Sequence, residues 1–119
     1  MARESKVETE VRESITGHLA PNESLREFSW GATEGFISAR YFVGFTDKRL
    51  MLVEVNGTMP TGDVHNISIG DIKGLEYRSS GTYGILKVHL SADILELNFE
   101  KRPWWPRAKN MAKLMPLQK

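Results

Sequence analysis

The sequence contains no cysteine, and this absence excludes several kinds of chemistry at once. Disulfides, thiolate zinc sites and cysteine nucleophiles all require that residue. Long apolar runs are absent as well, since stretches such as residues 50–53 are far shorter than the roughly 20 residues of a membrane-spanning helix. The charged beginning of the chain lacks the apolar core of a secretory signal. We therefore expect a cytoplasmic protein without a transmembrane helix.

Sequence patterns that carry catalysis, metal binding or phosphate binding are also missing. His18, His65 and His89 form no H-x-x-x-H or H-E-x-x-H motif, and no glycine-rich stretch matches a phosphate-binding loop. Asp63 and His65 can share one face of a strand, but no nucleophile stands near them, so we expect an ordinary surface contact. The sequence predicts a protein that is not an enzyme and that holds no cofactor or metal.

What is present has the composition of one ordinary globular domain. The chain of 119 residues is 40% hydrophobic and 26% charged, which suffices for a single core. Its charges are unevenly distributed, because residues 1–100 carry 10 basic and 15 acidic side chains, whereas residues 101–119 carry 6 basic and none acidic. We therefore interpret residues 1–119 as one domain with a basic C-terminal segment.

Two segments, one near each end, have the periodicity of a helix. Ser5 and Glu8 form a capping box, and apolar residues at every fourth position predict a helix over residues 5–17. Its apolar stripe is too small to hold it alone, so it is expected to dock on the rest of the chain or on another copy. A second amphipathic helix is predicted over residues 103–115. Its apolar face consists of Ala108, Met111, Ala112 and Met115.

Between these helices the apolar residues alternate with a period of two. Phe28, Trp30 and Ala32, for example, alternate with Ser29, Gly31 and Thr33, which predicts a strand with one buried face. Because no strand–helix–strand unit occurs, residues 25–100 are expected to form six or seven antiparallel strands. Turn signals lie at residues 46–49, 56–57, 62–63 and 79–81.

The order of these elements and one motif resemble the bacterial pleckstrin-homology-like (PH-like) domain family. Residues 41–54, with the sequence YFVGFTDKRLMLVE, are similar to the strand–turn–strand signature in which a T-[DN]-x-R-L turn joins two early strands. Residues 19–23 and 67–76 extend the similarity, which covers roughly residues 19–115. The resemblance implies a mainly β fold: a curved antiparallel barrel of about seven strands, with one end closed by the C-terminal helix. It also implies no assigned chemistry.

The first candidate binding cluster is the predicted hairpin with Asp47, Lys48 and Arg49. PH domains bind inositol phosphates with basic residues near their first hairpins, so the resemblance makes this cluster attractive. However, basic side chains at a hairpin tip are usually just solvated. The loop before the second predicted strand has only Arg40 against Glu34. We therefore expect solvated side chains and no phosphoinositide site.

The second candidate is the basic C-terminal segment. Its candidate lipid or partner contacts are Lys101, Arg102, Trp104, Trp105, Arg107, Lys109 and Lys113. Tryptophan beside basic residues can anchor in the headgroups of an anionic membrane, but the same tryptophans can close the core beneath a soluble helix. We favour the structural role for Trp104 and Trp105. Nucleic acid is disfavoured, because the body of the domain is acidic and repels phosphate.

These observations predict a non-catalytic interaction module that binds a protein or another copy of itself. An incompletely closed sheet offers unpaired backbone groups to an added strand. The alternative is a peripheral membrane adaptor that binds anionic lipid through the C-terminal segment, and an unrecognised enzyme is the third hypothesis. The sequence identifies no small-molecule substrate.

Overall fold

The chain folds into a seven-stranded antiparallel sheet with a helix before it and a helix after it. A computed structural model describes residues 4–33 and 39–117, so the expected loop at residues 34–38, with Glu34, lies outside the described residues. The elements are α1 (Lys6–Thr16), β1 (Leu25–Thr33), β2 (Ala39–Thr46), β3 (Arg49–Asn56), β4 (Met59–Ser68), β5 (Ile72–Ser80), β6 (Tyr83–Leu90), β7 (Ile94–Phe99) and α2 (Trp104–Leu114). The predicted mainly β fold with two terminal helices is confirmed.

Helix α1 begins at the predicted capping box and packs on the sheet of its own chain. The Ser5 hydroxyl accepts the N–H of Glu8 at 3.1 Å, and the Glu8 carboxylate accepts the N–H of Ser5 at 2.9 Å. Val11 and Ile15 are fully buried. Ile15 lies so close to Gly44 of β2 that a Cβ at that position would stand 2.6 Å from Ile15 Cγ2. Two of the three residues of the apolar stripe are thus covered without a second copy, and the third, Val7, stays exposed.

Strand β1 is buried on both faces, whereas the sequence predicted burial on one. Phe28 is paired with Gly44, so it shares the face that α1 covers. Ser29 and Gly31, predicted to face solvent, are buried on the opposite face, where Phe99 of β7 lies against Gly31. The alternating pattern predicted only one buried face because it could not show that α1 packs on the outer face of the curved sheet.

The sheet curves strongly but is not closed by hydrogen bonds. Its strand order is β4-β3-β2-β1-β7-β6-β5, so β4 and β5 are its two edges. In a flat sheet these edges would stand about 29 Å apart. Yet only the 3-10 turn Ile69–Asp71 joins them, and so short a connection spans at most about 14 Å. The sheet must therefore bend until its edges approach each other at this corner.

Three of the four predicted turns are confirmed, and the one at residues 62–63 is wrong. Gly62 and Asp63 lie inside β4, where Val53 of β3 pairs with Val64 and Val55 pairs with Pro60. Residues 61–63 of β4 therefore lie opposite a single residue of β3, and the extra residues form a bulge. Gly62 has a φ of 102°, a conformation that glycine adopts without strain, so it bends the strand and does not end it.

Helix α2 contacts β1, β5, β6 and β7 and covers one end of the core. Its buried residues are Trp104, Ala108 and Met111. After the helix, the chain returns along the outer edge of β5, where the Met115 carbonyl accepts the N–H of Leu75 at 2.8 Å and Leu117 N–H donates to the Leu75 carbonyl at 3.2 Å. Within the described part of the chain, no helix is both long and apolar enough to cross a bilayer.

Candidate functional site

The hairpin between β2 and β3 holds an internal ion pair and not a set of solvated cations. Arg49 donates to both carboxylate oxygens of Glu23, from Nε at 2.8 Å and from Nη2 at 2.9 Å. Its guanidinium also donates to the His18 carbonyl at 2.8 Å and to Asn66 Oδ1 at 3.0 Å. The expectation that Arg49 is solvated is therefore wrong, because a buried acid 26 residues earlier in the chain binds it. Lys48 is exposed, as expected.

Glu23 is the buried centre of this cluster. Its side chain is 1% exposed and also accepts the Thr46 hydroxyl at 2.6 Å and the N–H of Ala20 at 3.0 Å. The hydrogen bonds from Arg49, with the help of Thr46 and against the effect of burial, lower the pKa of Glu23 to about 2. Thr46 Oγ1 in turn accepts the N–H of Arg49 at 2.9 Å. Thr46 and Arg49 of the T-D-K-R-L turn thus bind the segment before β1 through Glu23. The Arg49 guanidinium is therefore occupied and not available for a phosphate.

The two tryptophans of the C-terminal segment occupy different surroundings. Trp104 is 5% exposed, and its ring meets that of Trp30 edge to face at 5.8 Å between centroids. The Ser29 hydroxyl donates to its carbonyl at 2.7 Å. Trp105 is only partly buried, and the guanidinium of Arg102 lies 4.8 Å from its ring centroid. Trp104 thus belongs to the core, while Trp105 lies at its margin.

Arg107 joins α2 to α1 and β1. Its guanidinium contacts the carboxylate of Glu8 at 2.8 Å and that of Glu27 at 2.6 Å, and it lies 4.0 Å from the ring centroid of Phe28. Burial raises the pKa of Glu8, but hydrogen bonds from Ser5 and Arg107 outweigh this effect and lower it overall. This arginine therefore stabilises the packing of three elements.

The remaining candidates of the C-terminal segment lie on the surface. Lys101, Arg102, Lys109 and Lys113 are exposed, and none of them forms an ion pair with a residue that the structure describes. Of the seven candidate contacts, these four leave their charge accessible. The hypothesis that they bind lipid or a partner stays a prediction.

The histidines occupy separate places. His89 Nε2 lies 3.0 Å from the Glu76 carboxylate across β5 and β6, and His65 is exposed on β4 with its ring edge-on to Tyr41. No group of three or more His, Cys, Asp or Glu side chains suited to a metal ion occurs in residues 4–33 and 39–117.

A difference between the two edges of the sheet could not be seen in the sequence. The outer edge of β5 pairs with residues 115–117 through a parallel bridge between Leu75 and Pro116. The outer edge of β4 has no strand partner among the described residues. Every residue of β4 is exposed or half-buried, and none is lysine or arginine. This edge is therefore a candidate binding surface.

Comparison with known proteins gives no relative: no protein-family model, curated protein or solved structure matches this chain. The resemblance to PH-like domains stays a prediction, and function has to be argued from the accessible surfaces.

Proposed function

We propose that this chain is a non-catalytic, PH-like interaction module that self-associates by pairing β4 with β4 of a second copy. The observation that carries the proposal is the contrast between the covered edge at β5 and the open edge at β4. An open edge strand presents a row of unpaired N–H and C=O groups, which another strand satisfies by continuing the sheet. Helix α1 adds little to this proposal, because two of the three residues of its apolar stripe, Val11 and Ile15, are buried within the chain and only Val7 is exposed.

Only part of β4 suits such pairing. The first half of the strand contains Pro60, which cannot donate a backbone hydrogen bond, and the bulge at Gly62. Both features discourage strand addition. Residues 63–68 contain no proline, lysine or arginine. Residues 64–68 pair with β3 in a regular ladder, and Asp63 is the last residue of the bulge. We therefore place the contact in this second half.

The sequence of β4 is complementary to itself around Val64. A dimer formed by one kind of strand has two-fold symmetry, so each contact occurs twice. With Val64 on the axis of an antiparallel pair, Asp63 of each copy lies opposite His65 of the other. A carboxylate then faces an imidazole at both ends, and the two valines meet in the centre. Favourable cross-strand pairs contribute roughly 0.2–1 kcal/mol each.

Light scattering after size exclusion measures the oligomeric state and so tests the proposal. Two substitutions at the exposed His65 test the predicted pairing of His65 with Asp63 of the second copy. We expect the wild type to contain dimer at about 100 μM, a concentration that populates micromolar complexes. His65→Asp places two carboxylates opposite each other and should raise the dimer Kd roughly tenfold, whereas His65→Lys should leave it unchanged or lower it.

Three outcomes would replace this proposal. A strictly monomeric wild type at about 100 μM rules out self-association and leaves β4 as an edge for an extended segment of another protein. A dimer that responds equally to both substitutions uses a different surface. If the monomer instead floats with anionic vesicles, the membrane-adaptor alternative takes precedence.

The membrane alternative rests on one observation, the four exposed cations of the C-terminal segment that form no ion pair with a described residue. Basic residues near an anionic surface contribute about 1 kcal/mol each. The test is flotation with anionic vesicles. The membrane alternative would be supported if a Lys109→Gln, Lys113→Gln double variant no longer floats, while a control that neutralises Lys48 and Lys73 still does. Both control residues are exposed and neither belongs to α2.

A further inference from the structure

A pocket of about 140 Å³ opens where β1, β7 and the beginning of α2 meet. Trp30 and Trp104 form apolar walls whose ring planes are 76° apart, and Ala32 also lines the pocket. A cavity of about 150 Å³ holds one benzene molecule, so this pocket has room for a single ring or a branched chain of similar size. Its apolar walls favour such a group over a fully polar one.

Asn98 places an unused carboxamide in this pocket. The residue is 9% exposed and pairs in register with Ala32, so both side chains lie on the face that Trp30 shares. Among the residues that the structure describes, none forms a hydrogen bond with its side chain, although its backbone is paired in the sheet. Because no fully buried side-chain nitrogen or oxygen of the described residues lacks a partner, the amide atoms of Asn98 are accessible from the pocket. The pocket therefore presents a polar group that a ligand can satisfy.

The charged residues at the mouth of the pocket favour an anion. Arg40 and Lys101 line it together with one acid, Glu100, which gives a net charge of +1. All three side chains are exposed, and none has an ion-pair partner in the described part of the chain. The two cations are thus free to approach a carboxylate that Asn98 also holds.

We propose that this pocket binds a small organic carboxylate that carries one aromatic ring or branched apolar chain. The apolar part lies against the indoles of Trp30 and Trp104. One carboxylate oxygen accepts a hydrogen bond from the Asn98 amide, and the charge of Arg40 and Lys101 at the mouth stabilises the anion. This site is separate from the edge of β4, so it does not depend on self-association.

The proposal is tested by NMR with four probes that separate ring from charge: phenylacetate, phenylacetamide, phenethylamine and acetate. We expect phenylacetate to shift the indole N–H signals of Trp30 and Trp104 and the side-chain amide signals of Asn98 in a saturable way. A ligand of this size should have a Kd of about 1 mM. The neutral amide should bind at least about threefold more weakly, and the amine and acetate should show no saturation.

Two matched variants assign the charge at the mouth. Lys101→Gln should weaken phenylacetate binding about threefold, because it removes a cation beside the carboxylate. Lys109→Gln makes the same change of charge at an exposed position of α2 that does not line the pocket, and it should leave the Kd unchanged. Asn98→Leu keeps a similar volume without the amide and should weaken the binding of both phenylacetate and phenylacetamide, because it removes a donor that both ligands can use. If Asn98→Leu fails to fold, the lysine pair decides.

Several results would overturn the proposal. One is the absence of saturable shifts with about 20 mM phenylacetate, which would mean that the pocket holds only water. Tighter binding of phenethylamine would assign the pocket to cations through Glu100 and the indoles. Equal weakening by Lys101→Gln and Lys109→Gln would show attraction to overall charge without a defined site.

Discussion

Two segments are attached to the sheet in different ways: the linker at residues 17–24 and helix α2. The linker is held by polar groups, since Glu23 binds Arg49 and Thr46 within a buried cluster. Helix α2 is held by burial, with Trp104 in the core and Arg107 as an additional polar tie. Each attachment uses one arginine, but only α2 also has a large apolar anchor.

This difference determines how each attachment fails. A buried charge pair is sensitive to the loss of either partner, because the remaining charge is left without compensation in a site that excludes water. For an apolar attachment, the loss of stability grows with the buried apolar surface that a substitution removes and with the cavity that it leaves. This loss does not depend on pH. Arg107 lies between these limits. Its side chain is about as buried as that of Arg49, but its partners Glu8 and Glu27 are 10% and 12% exposed, whereas Glu23 is 1% exposed. Water can therefore replace part of its contacts.

The largest effect is expected from removing the apolar anchor of α2. Trp104→Ala should lower the free energy of unfolding by about 3–5 kcal/mol, because it leaves a large cavity beside Trp30. Trp105→Ala, at the margin of the core, should cost only about 1 kcal/mol. Thermal unfolding followed by circular dichroism compares the two variants. Equal melting temperatures would contradict the placement of one tryptophan inside the core and the other at its margin.

The polar attachment should be nearly as sensitive to a single substitution. Arg49→Leu leaves the carboxylate of Glu23 buried without its main partner, and it should cost about 3 kcal/mol. Lys48→Leu, the exposed neighbour, provides the control and should change stability by less than about 0.5 kcal/mol. Urea unfolding measures both. A similar, small loss in both variants would show that the Glu23–Arg49 pair does not hold the linker.

Elements with a local signal were predictable from the sequence. The capping box at Ser5 and Glu8 gave the start of α1, and the turn at residues 46–49 gave the hairpin between β2 and β3. Both depend on residues within a few positions of each other. Gly62 shows the limit of this approach, because glycine at a positive φ serves a bulge as well as a turn, and only pairing with β3 distinguishes the two.

The partners in the candidate sites could not be predicted, because they are distant in the chain. Glu23 and Arg49 are 26 positions apart, and Arg107 binds Glu8 from 99 positions away. Nothing in the local pattern of Asn98 indicates that it faces two indoles. The open edge of β4 was expected in general terms, but the covering of β5 by residues 115–117 depends on where α2 directs the chain.

Acid should weaken the polar attachment selectively. The pKa of Glu23 is about 2 in the folded protein, below the ordinary 4.5, so its stabilising effect is complete above pH 4.5 and is lost as the pH falls towards 2. Protonation should remove about 2 kcal/mol between pH 7 and pH 3. Urea unfolding at several pH values measures this loss, with Glu23→Gln as the reference. If that variant loses as much stability as the wild type over this range, other carboxylates are responsible.

The smallest of these effects is expected at Arg107, although this residue contacts three elements. Arg107→Leu removes the ties to Glu8 and Glu27 but keeps part of the packing on Phe28. Because both carboxylates are more exposed than that of Glu23, at 10% and 12% against 1%, water can partly replace the arginine, and the loss should be about 1–2 kcal/mol, below that of Arg49→Leu. It should be concentrated in α1, so hydrogen exchange of the amides around Val11 and Ile15 should accelerate while that of β6 changes little.

Arg12→Leu provides the matched control, since Arg12 pairs with Glu4 at 3.0 Å but its side chain is 43% exposed. An exposed ion pair of this kind contributes at most about 1 kcal/mol, and its removal should leave the buried face of α1 in place. Arg107 and Arg12 would then differ in effect according to the burial of their side chains, which are 21% and 43% exposed. If exchange in α1 accelerates equally in both variants, the helix is held by its apolar face alone, and Arg107 contributes no specific tie between α1 and α2.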